Sequence, residues 1–289
     1  MSVFIDDTTR VLVQGITGEH GRFHTERMQA AGTEVVAGVV PGKAGERVHG
    51  VPVYETVRMA MQHHDINASV IFVPPAVATD AIMEAIDAAL ELVVVVSEGI
   101  PMQDMATIRR RLGETDTRLV GPNPPGIIAP DQALLGIIPT TITRPGRVGL
   151  VSRSGTLTYQ IIDDLTRRGI GQSTALGIGG DPIVGTTFRE ALPAFETDPD
   201  TDVVVLCGEI GGAAEETAAE YIATMETPVV GFVAGRTAPT GTRMGHAGAI
   251  VTGEGTGTAD SKITALRDAG AYVEATPSAV VERVVELVG

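Results

Sequence analysis

The chain has 289 residues, room for two ordinary domains; 43% are hydrophobic, only 3% are aromatic, and none is Trp. A formal net charge of −15 disfavours nucleic acid and anionic membrane surfaces, except through basic residues focused locally. The single cysteine, Cys207, excludes an intrachain disulfide, and no apolar run approaches the ~18 residues of a membrane span.

Cores filled by Val, Ile, Leu and Ala suit parallel sheets covered on both faces by helices. Only two lysines, Lys43 and Lys262, occur among the 21 basic residues. An acidic, lysine-poor chain fits a salt-adapted cytosol or a GC-rich genome equally. The opening residues carry no basic flank and no apolar signal core, so a cytoplasmic protein is expected.

In chain order, strands are expected at residues 10–14, 34–40, 68–73, 92–96 and 118–120, with helical stretches between them. Residues 79–90 are one such stretch, with Ile82, Ile86 and Leu90 on one face. The first strand runs into Gly15-Ile16-Thr17-Gly18-Glu19-His20-Gly21. Glycines there let a backbone approach a phosphate, and a helix start offers free N–H groups; a turn needed only for packing is the plainer alternative. The second strand ends at Val40-Pro41-Gly42-Lys43. A dehydrogenase would place an acid there for a ribose hydroxyl. A lysine instead suits a phosphate, so CoA fits better than NAD, although Lys43 also reads as a plain solvated charge. The fourth strand ends in Val96-Ser97-Glu98-Gly99, another polar loop.

Gly121-Pro122-Asn123-Pro124-Pro125-Gly126 opens a loop-like stretch ending near Pro145-Gly146. The expected division is therefore 1–125, a linker at 126–145, and a second domain at 146–289. There the strands are expected at 147–152, 172–177, 203–207, 229–233 and 271–274. Nearly every strand in both halves ends in a glycine-rich or polar loop, and ligands of open parallel sheets bind beyond those carboxyl ends. Ser152-Arg153-Ser154-Gly155-Thr156-Leu157-Thr158-Tyr159 is strand, turn and helix start, a phosphate cradle or simple capping. Glu209 sits just past an apolar strand, where a carboxylate can orient an imidazole. His246 lies between Gly245 and Gly248, away from any apolar helical face and from any second histidine or cysteine at metal-ligand spacing. A nucleophilic histidine beside phosphate cradles is the sharper reading, and no metal site is expected.

These motifs, with Gly177-Ile178-Gly179-Gly180-Asp181-Pro182, Gly208-Glu209-Ile210-Gly211-Gly212 and Arg243-Met244-Gly245-His246-Ala247-Gly248-Ala249-Ile250, resemble succinyl-CoA synthetase α subunits nearly end to end. The acidic sequence is most similar to haloarchaeal versions. The resemblance implies a Rossmann-like CoA-binding domain followed by a flavodoxin-like ligase domain. It implies a tricarboxylic-acid-cycle ligase that forms succinyl-CoA reversibly through a phosphohistidine and succinyl phosphate. A malate–CoA ligase α subunit and a non-catalytic CoA-binding paralogue are the alternatives. Carried over by motif, Thr17, Gly18, Glu19, His20, Lys43, Val96, Ser97 and Glu98 contact CoA. Ser154, Gly155, Thr156 and Tyr159 serve the phosphate and the carboxylate substrate. His246 is phosphorylated, and Glu209 holds it. The nucleoside triphosphate and Mg2+ are expected on an ATP-grasp β subunit, in a heterodimer or heterotetramer without nucleic acid or membrane. The family usually has Cys where this chain has Pro124, Lys where it has Thr242, and Gly where it has Thr140.

Overall fold

The computed structural model describes residues 2–238, 241, 244–251 and 255–288. They divide into two compact units. The first holds Phe4–Ile138 with Ile183–Gly185; the second holds Pro139–Pro182, the described residues from Thr186 onward, and Ser2 and Val3. Among the described residues no helix is long and apolar enough to cross a membrane.

The first unit runs β1 (Arg10–Gln14), α1 (Glu19–Ala30), β2 (Glu34–Val39), β3 (Arg47–Val48), β4 (Val51–Tyr54), α2 (Val57–Met61), β5 (Ala68–Ile71), α3 (Pro75–Asp87), β6 (Leu92–Val95), α4 (Met102–Leu112), β7 (Arg118–Val120), β8 (Gly126–Ala129) and β9 (Ala133–Gly136). Its sheet has the order β3-β4-β2-β1-β5-β6-β7. All neighbours are parallel except the short edge strand β3. Without β3 this is the Rossmann order, whose connections change side between β1 and β5. Strands β5 and β6 are buried at every residue, as strands covered on both faces must be. Helix α3 buries Ala78, Ile82, Ala85 and Ile86, one helical stripe. It begins four residues before the expected start, because proline fits the first turn of a helix. It ends before Ala89, whose φ of 58° is left-handed.

The stretch 126–145, expected as a linker, carries the antiparallel pair β8–β9. Ile127, Ile128, Leu134 and Leu135 are all buried, which no solvated linker would allow. Gly126 and Gly136 face one another at φ 98° and 132°, where side chains would strike the opposite backbone. The hairpin is tied to the loop after α1: the Thr33 hydroxyl accepts from Leu134 N–H at 2.8 Å and donates to Leu134 O at 3.0 Å.

The second unit runs β10 (Pro145–Ser152), α5 (Gly155–Arg167), β11 (Gln172–Gly177), α6 (Phe188–Thr197), β12 (Val203–Glu209), α7 (Ala214–Ile222), β13 (Val229–Ala234), α8 (Ala259–Asp268), β14 (Tyr272–Glu274) and α9 (Pro277–Val288). These strands pair in parallel in the order β14-β13-β12-β10-β11. That is the flavodoxin-like order, with its change of side between β10 and β12. Phe188 and Phe195 of α6 fill the core; Gly149 makes room for the Phe195 ring, which a Cβ would approach to 2.5 Å.

Register aligns the carboxyl ends. Gln14, Val39, Ile71 and Val95 form one row in the first sheet, and Ser152, Gly177, Cys207 and Phe232 form one in the second. At the first edge, Gly21 of α1 packs on the turn after β1, where a Cβ would lie 2.2 Å from Gly15 O. Backbone cannot yield as a side chain does, so Gly21→Ala is expected to destabilise the chain by about 1–3 kcal/mol. Urea unfolding checks this; an unchanged midpoint and slope would show that α1 shifts freely.

Candidate active site

The loops at the first carboxyl edge carry the residues expected to meet CoA. Gly15 N–H donates to Val39 O at 2.9 Å, Phe72 N–H to Gln14 O at 3.0 Å and Val96 N–H to Ile71 O at 3.2 Å, so these loops leave the sheet side by side. Gly15 takes a φ of 85°, and a Cβ there would meet Phe72 O at 3.0 Å; only glycine allows this approach. Helix α1 has no side-chain cap at Gly18, which leaves its first N–H groups for an outside acceptor. Thr17 is half-buried ahead of it, and Gly18, Glu19 and His20 are exposed. Lys43 is exposed in the loop after β2 and pairs with Glu46 at 3.0 Å. Such a surface pair is worth ~0–1 kcal/mol, so little holds the ammonium back from a phosphate. Ser97 donates to Val73 O at 2.5 Å; Val96 beside it is half-buried and Glu98 is exposed. Pro124 is buried near the end of β7, where a Cβ on Gly121 would lie 2.8 Å from the proline ring. Thr140 opens a short 3-10 turn, Thr140–Ile142, ahead of β10.

In the second unit the structure brings His246 and Glu209 together. Glu209 is the last residue of β12 rather than one beyond it, and its side chain is 6% exposed. Its Oε2 lies 2.7 Å from His246 Nδ1. The imidazole rests on the turn after β11: a Cβ on Gly180 would stand 2.3 Å from His246 Cγ, and Gly248 N–H donates to Gly180 O at 3.0 Å. Thr242 and Arg243, in the same loop, lie outside the described residues. The hydrogen bond to Glu209 raises the His246 pKa above its ordinary 6.5; burial and Arg153 oppose the rise, and the Glu209 and Asp181 charges add to it. With Nδ1–H donated to the carboxylate, a neutral ring keeps its lone pair on Nε2.

Ser154 caps α5, its Oγ accepting from Leu157 N–H at 3.4 Å. Gly155 and Thr156 form the first turn, whose N–H groups have no partner within the helix. Tyr159, one turn further on, is half-buried, and burial raises its phenol above the ordinary 10.0. Among the described residues no bond joins Tyr159 to the histidine cluster.

Arg153, between strand and cap, escaped the sequence reading. Its guanidinium is buried; Nη2 lies 3.2 Å from Glu209 Oε1, and Nη1 lies 3.2 Å from Glu215 Oε1. The first contact is an ion pair without hydrogen-bond alignment. Glu215 on α7 also escaped, as did Lys262 on α8; both side chains are fully buried and in contact. The available signal was composition, since Lys262 is one of only two lysines.

Comparisons with known proteins agree with this geometry. Residues 6–99 match the CoA binding domain family and residues 151–272 match the CoA-ligase family. The chain is 58% identical over 287 residues to succinate–CoA ligase [ADP-forming] subunit alpha 2 of Archaeoglobus fulgidus, covering 99% of this chain and 100% of that one. It is 54% identical to the α subunit of the Staphylococcus aureus (strain N315) ligase, over 99% of this chain and 95% of that one. Among solved structures, ATP citrate lyase from Methanothrix soehngenii, in complex with citrate and coenzyme A, superposes with a TM-score of 0.90 at 25% identity. That match covers 99% of this chain but only 50% of the lyase. With identity this high along nearly the whole of both chains, the chain belongs to the family of ADP-forming succinate–CoA ligase α subunits.

Proposed function

We propose that the chain is the α subunit of a succinate–CoA ligase and that His246 carries phosphate between nucleotide and carboxylate. The observation that carries this reading is the 2.7 Å bond from His246 to a buried carboxylate, which leaves the opposite ring nitrogen free. Neutral Nε2 attacks the terminal phosphorus of ATP and expels ADP; Mg2+ would screen the phosphate charge. Succinate then takes the phosphoryl group from the ring and becomes succinyl phosphate. The CoA thiolate attacks the acyl carbon, phosphate leaves, and succinyl-CoA forms. Glu209 fixes the tautomer. The open first turn of α5, from Ser154 to Thr156, offers N–H donors to the phosphoryl oxygens. Tyr159 lies near the carboxylate substrate in this reading.

In the same reading CoA lies on the first carboxyl edge, held by the α1 turn from Thr17 to His20, by Lys43 and by the loop from Val96 to Glu98. The chain itself supplies no P-loop, so the nucleotide site belongs to an ATP-grasp β partner, in a heterodimer or heterotetramer. The resemblance to haloarchaeal versions, with which the acidic, lysine-poor sequence is compatible, makes this a protein of the cytoplasm in the same reading. Assay of the assembled pair with succinate and with malate distinguishes the acid; faster turnover of malate would reassign it.

Four outcomes are expected. Incubation of the assembled pair with γ-labelled ATP should place acid-labile, base-stable label on this chain, and His246→Asn should carry none and form no succinyl-CoA. Comparable labelling of that variant would move the shuttle elsewhere. In the wild type, labelling should fall as pH drops through the raised His246 value, because the protonated ring has no lone pair to offer. Glu209→Gln removes the largest cause of the rise. Its acid limb should therefore sit at lower pH, with a slower plateau; a limb at higher pH would contradict the role given to Glu209. Lys43→Ala should weaken CoA binding about 10- to 100-fold through loss of a charge-assisted contact. Equal binding in calorimetry would leave Lys43 a surface charge.

A further inference from the structure

Behind the Glu209–His246 pair the described residues place a continuous line of charged groups. Lys262 Nζ touches Glu215 Oε2; Glu215 Oε1 lies 3.2 Å from Arg153 Nη1; Arg153 Nη2 lies 3.2 Å from Glu209 Oε1; Glu209 Oε2 meets His246 Nδ1 at 2.7 Å. The signs alternate along the line. The side chains of Lys262 and Glu215 are 0% exposed, and those of Arg153 and Glu209 are 7% and 6% exposed. Four buried charges are costly to desolvate, and a well-packed apolar cluster would often be as stable.

We propose that Lys262, Glu215 and Arg153 are positioning residues for the Glu209–His246 pair, a buried relay that sets how much of the Glu209 carboxylate's charge reaches the ring. The key member is Arg153, which spans two acids. Whatever ties Glu215 to Lys262 decides how far the guanidinium leans toward Glu209 instead. The same groups fix the backbone that aims the carboxylate. Arg153 Nη1 donates to Glu209 O at 3.3 Å and to Gly211 O at 3.1 Å; Lys262 Nζ donates to Gly211 O at 2.7 Å; Glu209 N–H donates to Glu215 Oε1 at 3.0 Å. Gly211 N–H in turn donates to Gly257 O at 2.8 Å, and Gly257 N–H to Glu216 Oε1 at 2.9 Å. The relay therefore also holds the turn that receives the chain after the histidine loop.

Among the described residues, the charged groups that face His246 are Glu209 from β12, Arg153 from the turn before α5, and Asp181 from the turn after β11. Glu215 and Glu216 on α7 and Lys262 on α8 stand behind them. This assignment depends on the phosphohistidine reading for its purpose, but not for its geometry.

The test is to titrate His246 by NMR in the full chain carrying isotope-labelled histidine rings. Lys262→Met leaves Glu215 dependent on Arg153 and draws the guanidinium from Glu209, so His246 should titrate ~1 pH unit higher. Glu215→Gln releases Arg153 to Glu209, so it should titrate lower by a similar amount. The paired variant Lys262→Met/Glu215→Gln keeps the net charge. It should titrate low, as Glu215→Gln does, because Arg153 is released in both. If Lys262→Met does not fold, the other two variants still decide. Folded variants that leave the titration of His246 unchanged, or a paired variant that matches the wild type, would overturn the relay. Phosphoryl labelling of the same variants, assembled with the β subunit, separates the two readings. Titration shifts without label on wild-type His246 would sink the ligase reading and keep the relay, whereas label without shifts would do the reverse.

Discussion

The Glu209 carboxylate stands between a guanidinium and an imidazole, and the geometry of the His246 ring depends on how it divides itself between them. One oxygen faces Arg153 at 3.2 Å and the other faces His246 at 2.7 Å. A carboxylate so placed has little freedom to rotate, and it hands that constraint to the ring. The ring's plane is fixed on its other side by Gly180, where no side chain would fit. A nucleophile needs its lone pair aimed as well as available. In the proposed reading Glu209 supplies the aim, by fixing the tautomer and the ring's orientation, and its charge sets the pH below which the lone pair is lost.

The two sheets reach this kind of site by one rule of topology. In each, parallel strands end in a common row, and the chain changes side at one point along it. The crevice at that point lies between β1 and β5 in the first sheet and between β10 and β12 in the second. The glycine turn before α1 leaves the first crevice, and Arg153, Ser154 and Glu209 border the second. Chain connectivity thus explains why functional residues far apart in sequence recur at strand ends.

Much of this was legible in the sequence for physical reasons. The strands Arg10–Gln14 and Gln172–Gly177 fall at their expected bounds, because turn signals bracket each short run and it lies in the strand–helix alternation. His246 stood out because glycines on both sides made a packed core histidine a poor fit. The hairpins were harder. Residues 47–54 and 126–136 form strands of two to four residues whose glycines and prolines read as punctuation. Only their long-range partners, such as Thr33 for Leu134, make them strands. The inward placement of Lys262 and Glu215 was hidden for another reason. On an isolated amphipathic helix such residues belong to the wet face, and only the meeting of α7 and α8 turns them inward.

Cys207 lies two residues before Glu209, in the middle of the second sheet. It is 0% exposed, and burial pushes its thiol up to about 12. It is the only cysteine in the sequence. Burial and the raised pKa together make Cys207 a poor thiolate in the folded chain. A sulfhydryl reagent added to the folded chain together with CoA and a partner subunit should therefore reach those components well before Cys207, which makes the chain a quiet background for thiol labelling.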